Sequence, residues 1–434
     1  MEKMVGTKLE RIAEISAQTA RPNFTSLYHL IDADLLKICH REIDGKKAVG
    51  IDKVTKEEYE EHLESNIADL VIRLKNKAYK PLPTRRVFIP KPNGKLRPLG
   101  IVSYEDKIVQ LALKKVLEAV YEPRFLNCMY GFRPKRGCHE AIKEVHQRLS
   151  RGKINYIVDA DIKGFFDHID HEWMMKFLEW HIKDPNILWL VKKYLKAGVM
   201  VDGVHEDTEE GTIQGGNISP TLANIYMHNV LTLWFVLKIR KEMRGECFLV
   251  NYADDFVAGF QYKDDAEKYY AALKERMAYF NLELEESKSR LLEFGKYAVQ
   301  NRNARGEGKP ETFDFLGFTF YIGKTRKGYP WPKLQTSRKK FEKSVKNFKD
   351  WLYSNRMNST KWIISGLNTK LVGYYRYYGV SLNSRKLSAF NQRIRQLLYK
   401  VLNRRGRRTY SWEGFNEMLK VYPLAKPKIY YALY

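Results

Sequence analysis

The chain has 434 residues, 44% hydrophobic and 13% aromatic, enough for two or three folded domains and too apolar for a disordered chain. Its 76 Lys and Arg against 51 Asp and Glu leave a formal charge of +25 at pH 7, which predicts a polyanionic partner. No secretory or lipidation signal is legible, and the longest apolar stretch, around residues 230–237, falls short of the roughly 20 residues of a membrane span. With Cys39, Cys128, Cys138 and Cys247 scattered, neither a zinc site nor a disulfide framework is expected, and the predicted setting is cytoplasmic, away from membranes.

In chain order, Lys91-Pro92-Asn93-Gly94-Lys95-Leu96-Arg97 reads as two strand edges joined by an Asn-Gly turn. That hairpin would hang Lys91 and Arg97 over one site, a point charge and a fork suited to a triphosphate; solvated surface cations are the alternative. Residues 106–120 place Ile108, Leu111, Ala112, Val116 and Ala119 on one helical stripe. Tyr156 to Asp161 alternates apolar residues with Asp159 and Asp161, a strand carrying carboxylates on one face. Phe166, beside Phe165, reads from its position alone as a core side chain. Residues 177–197 form a second helical stretch, broken at Pro185. Gln214-Gly215-Gly216 is a turn whose missing side chains let the backbone approach a ligand closely.

Further on, Phe248-Leu249-Val250-Asn251 and Phe256-Val257-Ala258 flank Tyr252-Ala253-Asp254-Asp255, predicting a β-hairpin with acids at its tip. Adjacent carboxylates repel, so a fold that holds them together usually sets a divalent cation between them; a solvated turn is the alternative. Beside Asp161 they would complete an oxygen cage for two Mg²⁺ ions, which can activate a 3′-hydroxyl and neutralise a departing pyrophosphate. A helix is predicted over 266–280, and the stretch from Gly323 to Lys333, with Gly328, Pro330 and Pro332, reads as a loop or hairpin. From Tyr321 to Tyr434 there are 26 Lys and Arg against 4 Asp and Glu, so most of the net charge sits in the last quarter. There, residues 367–378 and 387–402 predict helices with buried aromatic or aliphatic stripes and a basic outer face suited to an A-form duplex.

An ordered series of blocks now carries a resemblance: Gly50-Ile51-Asp52, residues 85–101, Tyr130-Gly131-Phe132-Arg133-Pro134, Asp161 to Asp167, residues 214–220, Tyr252 to Asp255, and Phe315-Leu316-Gly317-Phe318. From about Val49 onward the chain resembles a group II intron-encoded reverse transcriptase, or maturase, in a form without the Cys/His-rich HNH endonuclease module. The resemblance implies an α+β right-hand polymerase with an α-helical thumb or maturase domain. Its parts would be an N-terminal extension at 1–45, fingers at 46–150, a palm at 151–325 and a basic helical thumb at 326–434.

It further implies that Asp161, Asp254 and Asp255 hold two Mg²⁺ ions, with Mn²⁺ able to substitute, and that the carbonyl of Ile162 adds an oxygen. Lys91 and Arg97 would bind the dNTP triphosphate, and Phe166 would exclude a 2′-hydroxyl. Gln214 would lie beside template and nucleotide, Lys288 would protonate pyrophosphate, and residues 315–318 would grip the primer. Arg376, Arg393, Arg404, Arg405, Arg407 and Arg408 would hold RNA template with DNA primer and group II intron RNA. Two departures from the family pattern, Ile213 where proline is usual and Asn251 where arginine is common, bear on template-side contacts. A splicing-only RNA-binding protein, and a domesticated relative in antiviral defence or DNA repair, are the competing readings. The oligomeric state is not legible.

Overall fold

The structure, a computed structural model, describes residues 2–90, 96–201, 204–206, 210–212, 215–404 and 409–433. Lys91, Gln214, Arg405, Arg407 and Arg408, to which the sequence assigned nucleotide or nucleic-acid contacts, lie outside the described residues, as does the side chain of Arg97. Eleven strands occur among the described residues. They are β1 (Thr84–Pro90), β2 (Leu96–Ile101), β3 (Tyr156–Asp161), β4 (Val199–Val201), β5 (Val204–Glu206), β6 (Cys247–Tyr252), β7 (Asp255–Phe260), β8 (Arg290–Glu293), β9 (Phe313–Phe315), β10 (Phe318–Lys324) and β11 (Pro330–Thr336).

They make three sheets. One has the order β2-β1-β4-β5, a central one β6-β7-β3-β8, and the third β11-β10-β9. Strands β1 and β2 pair antiparallel from Arg85↔Ile101 to Pro90↔Leu96, so the predicted Lys91–Arg97 hairpin exists although its tip is not described. The Gly323 to Lys333 stretch is the β10–β11 hairpin, with Lys324 opposite Pro330.

The strand period of two divides the central sheet between two cores. Val158, Ala160, Leu249, Phe256, Ala258 and Phe260 join a first core with the helices Tyr104–Tyr121 and Lys263–Tyr279 and the N-terminal helices Glu2–Gln18 and Ala33–Glu42. Ile157, Phe248, Val250, Val257 and Leu292 join a second core with helix Cys138–Arg151, strands β9 to β11 and the helices Arg338–Ser354, Thr360–Tyr378 and Ser384–Leu402. In that second core the predicted aromatic stripe is packed, not offered to solvent: Tyr374 stacks on Phe390 at 3.7 Å between ring centroids.

Pro185 does more than interrupt a helix. Asp184 accepts hydrogen bonds from the N–H groups of Asn186 and Ile187, and proline's fixed φ starts a new helix, Pro185–Leu195, after His171–Glu179. A larger difference concerns residues 219–242, predicted to contain only a short apolar stretch. They form one continuous helix, with two π-helical turns at His228–Thr232 and Phe235–Ile239, long and apolar enough by composition to cross a membrane. Its most apolar window is 72% buried inside the protein, where it forms the spine of the first core.

Candidate active site

Strands β3 and β7 run antiparallel with Asp161 directly opposite Asp255 and Asp159 opposite Val257. Directly opposed residues share a face, so Asp159, Asp161 and Asp255 all project on the side of the second core. Asp254 belongs to the two-residue connection between Tyr252 and Asp255, which close the β6–β7 hairpin. Ala253 takes the left-handed φ of +57° there, a conformation that costs a non-glycine residue on the order of 1 kcal/mol.

That turn is clamped from below. The Asn251 side-chain amide donates to the Ala253 carbonyl at 2.7 Å, and Asn251 is completely buried. Its backbone N–H donates to Cys128 O at 2.8 Å, while Tyr130 N–H donates to Asn251 O at 2.9 Å. Gly131 lies so close that a Cβ would stand 2.6 Å from Ala253 N, which explains the glycine of Tyr130-Gly131-Phe132. Asn251, expected to bear on template contacts, therefore acts within the protein by fixing the turn that carries the acids.

A second turn presses on the acids from above. Leu316 and Gly317, both with positive φ (+48° and +81°), join β9 to β10. The Leu316 N–H donates to the Asp255 carboxylate, and the Leu316 carbonyl accepts from Tyr377 Oη at 2.9 Å. A single residue of strained backbone, Leu316, thus links a carboxylate of the central sheet to the helix Thr360–Tyr378 through its N–H on one side and its carbonyl on the other.

Burial and the neighbouring Asp159, Asp254 and Asp161 push Asp255 up to about 7, against the Leu316 hydrogen bond. Asp159 is also pushed up to about 7, by burial first, with Asp314 and Asp161 adding and Arg290 opposing. Lys288 Nζ pairs with Asp161 Oδ2, and this hydrogen bond raises the lysine's pKa. Ile162 sits opposite Leu284, flanked by Lys163 N–H to Glu283 O at 2.9 Å and Glu285 N–H to Asp161 O at 2.8 Å. In that pattern Ile162 and Leu284 are a non-hydrogen-bonded pair, so the Ile162 carbonyl turns away from residue 284 toward the β7 side.

Phe165 is buried, whereas Phe166 packs against it edge-on at 5.4 Å and stays half-buried. The core position that sequence alone favours thus falls to Phe165. Thr212 N–H donates to Phe166 O at 2.7 Å, which brings the segment before Gln214 against this turn. Gly215, with φ of +118°, approaches the backbone of Gly100 so closely that a Cβ would lie 2.6 Å from its carbonyl oxygen. Its lack of a side chain serves contact with β2. Arg376, Arg393 and Arg404 are all exposed; Arg404 Nη1 donates to Tyr353 Oη at 3.1 Å.

Residues 89–320 match the family described as Reverse transcriptase (RNA-dependent DNA polymerase), more than half of the chain. The chain belongs to the reverse transcriptase family. Membership brings the right-hand polymerase fold, in keeping with the mixed helix and sheet seen here. Among curated relatives, this reverse transcriptase is similar to the group II intron-encoded protein LtrA of Lactococcus lactis subsp. cremoris, 36% identical over 240 residues, 55% of this chain and 39% of LtrA. It is 39% identical to protein YkfC of Escherichia coli (strain K12) over 189 residues, 42% of this chain and 49% of YkfC. A shorter match, 30% over 93 residues, 21% of this chain and 13% of the relative, is to nuclear intron maturase 1, mitochondrial, of Arabidopsis thaliana. The chain spans less than half the length of each of these relatives.

Reverse transcriptases generally use divalent metal ions. The donor chemistry fits such an ion: three carboxylates on adjoining strands and their turn, one pushed toward neutrality by burial and by its acidic neighbours, would be relieved by a hard cation with oxygen ligands. Among the described residues no three His, Cys, Asp or Glu side chains already stand at metal-holding spacing, and Asp161 engages Lys288 instead. Closing the site on a cation would require Asp161 to leave that lysine.

Proposed function

We propose that the chain is an RNA-directed DNA polymerase that also binds group II intron RNA as a maturase, promoting splicing and mobility. The observation that carries this reading is the register of β3 and β7, which sets Asp161 opposite Asp255, with Asp254 at the adjoining turn. Asp161, Asp254, Asp255 and the Ile162 carbonyl would hold two Mg²⁺ ions, or Mn²⁺. When bound, these ions would activate the primer 3′-hydroxyl and neutralise the leaving pyrophosphate.

The protein's own groups do the rest. Lys288, protonated and adjacent to Asp161, donates its proton to pyrophosphate once released from the carboxylate. The half-buried ring of Phe166, in the short turn of helix that follows β3 and Asp161, excludes a 2′-hydroxyl, while Lys91, Arg97 and Gln214 contact dNTP and template. Residues 46–150 act as fingers, 151–325 as palm, and 326–434 as a basic thumb that grips the RNA template–DNA primer duplex and intron RNA.

The test is Asp254→Asn, assayed for dNTP incorporation on a primed RNA template and for RNA binding on the same preparation. Extension should be abolished, because one anionic ligand is lost, and RNA binding should persist. Extension within about tenfold of the unsubstituted protein would remove Asp254 from the catalytic set.

A further inference from the structure

Strand β6 is an edge: the central sheet runs β6-β7-β3-β8, and β6 pairs in register with β7 on one side. Its upper half is covered on the other side, where Asn251 sends its N–H to Cys128 and accepts from Tyr130. Hydrogen-bonding direction alternates along an antiparallel strand, so if Asn251 points both backbone groups outward, Leu249 and Cys247 do so too. Among the described residues neither finds a partner on that side. Proteins usually blunt such an edge with lysine, proline or a bulge, yet this half of the strand reads Cys247-Phe248-Leu249.

The edge is half-buried at Cys247 and narrows inward to the buried Leu249, which lines the same groove. It forms the floor of a groove made of two adjoining cavities, about 320 and 720 Å³, that share Glu144, Arg148, Arg240, Cys247 and Phe248. Helix Cys138–Arg151 forms one wall and residues 235–240 the other. Three exposed arginines, Arg148, Arg151 and Arg240, rim it. The acids in the groove are already engaged, Glu144 with Arg148 at 2.8 Å and Glu246 with the Lys153 N–H at 2.9 Å. Arg151 and Arg240 have no ion-pair partner among the described residues.

We propose that this groove docks an extended, acidic peptide segment of another protein, which adds as a strand to β6 at Leu249 and Cys247 while its carboxylates meet Arg148, Arg151 and Arg240. Main-chain hydrogen bonds supply the affinity, and the arginines select for acidic side chains. The segment 128–130 shows that the upper half of this edge accepts a strand, since Met129 bridges Asn251 in parallel. The peptide continues that ladder where residue 128 leaves it. The site stands apart from the carboxylate cluster and does not depend on the chemistry proposed there.

The probe is the peptide acetyl-Glu-Val-Thr-Val-Glu-amide, titrated into the full chain while backbone amide exchange is followed. Saturable binding with slowed exchange at Leu249 and Cys247 is expected, and little change at Phe248 and Val250, whose amides already face β7. Arg151→Glu with Arg240→Glu, both at exposed positions, should weaken binding by about tenfold or more. The same peptide with lysine for glutamate, or with N-methylated central residues, should not bind. Cys247→Pro, at a strand start where proline is tolerated, should also abolish binding, its melting curve serving as the folding control. Absence of saturable binding, binding without protection of the Leu249 and Cys247 amides, or protection of those amides by a short oligouridylate but not by the peptide would each overturn the proposal. The last result would make the groove a nucleic-acid contact.

Discussion

At the scale of single residues, the acid cluster stores electrostatic cost that protons or cations can relieve. An unfolded aspartate ionises near 4, whereas Asp159 and Asp255 are pushed up to about 7 by burial and by neighbouring carboxylates. Between those values the folded chain binds more protons than the unfolded chain, so stability falls as pH rises from about 4 to 7 and levels off above. Each group accounts for roughly 4 kcal/mol at most, and less in practice because the two titrate as a coupled set. Asp159→Asn should therefore raise the melting temperature at pH 8 in metal-free buffer and leave it nearly unchanged at pH 5; equal effects at both pH values would contradict the burial assigned to this carboxylate. For Phe166, the half-exposed ring predicts that Phe166→Ala raises rNTP over dNTP incorporation with little loss of stability. Single-nucleotide extension with each sugar reads this directly, and an unchanged ratio would leave the ring as packing alone. Alternation in Tyr156 to Asp161 already placed Asp159 and Asp161 on one face. The environment of Asp159 was not legible, because strand β8, which pairs beside it, and Asp314, whose charge raises it further, lie more than a hundred residues away.

At the scale of elements, the hairpins that carry and press on the acids were legible because turn residues and strand formers are local signals. What joins them was not. Asn251 looked like a departure from a family pattern, yet its amide closes the turn at Ala253. Tyr377 read as one ring in an aromatic run, yet its hydroxyl holds the carbonyl of Leu316, the residue whose N–H reaches Asp255. Tyr377→Phe keeps the ring that stacks near Phe318 and removes only that hydrogen bond, worth about 1 kcal/mol. A small fall in melting temperature together with a larger fall in kcat for primer extension is expected; an unchanged kcat would show that the turn keeps its place without the hydroxyl. Helix 219–242 escaped notice for a different reason. Asn224, Asn229 and Thr232 interrupt its apolar run, but each commits its side chain to a carbonyl inside the protein, of Gly131, Ile225 and His228. Sequence shows polarity and cannot show that these donors find carbonyls inside the protein.

For the whole molecule, the charge step near residue 321 falls inside the third sheet. Strands β9 to β11 span residues 313–336, and one core includes side chains from Ala141 to Leu433. Charge marks the surface of the last quarter, whereas packing ties that quarter to the central sheet. If the exposed cations there bind phosphates, affinity for RNA should fall steeply with salt, at roughly −0.7 to −0.9 in log K against log salt per neutralised phosphate. Replacing Arg376, Arg393 and Arg404 with alanine should flatten that slope by about two to three units across unrelated RNAs. A salt titration of wild type and triple variant decides it, and parallel lines would assign the grip to other residues.

Residues 423–433 have a consequence for the order in which the protein can mature. They cross the end of helix Thr360–Tyr378, where Tyr430 N–H bonds Gly379 O and Ser381 N–H bonds Tyr431 O at 2.9 Å. Tyr431 then stacks on His139 at 3.6 Å, and Leu433 is buried beside Gln147. His139 also contacts the Tyr377 carbonyl at 2.7 Å, one residue's length from the hydroxyl that holds Leu316. On a ribosome the carboxylate strands are made early, but the strap that locks their overhead turn is made nearly 170 residues after Asp255. A nascent chain halted before residue 423 should carry all three acids and lack the strap that fixes the turn above them, so their final alignment waits on the synthesis of residues 423–433.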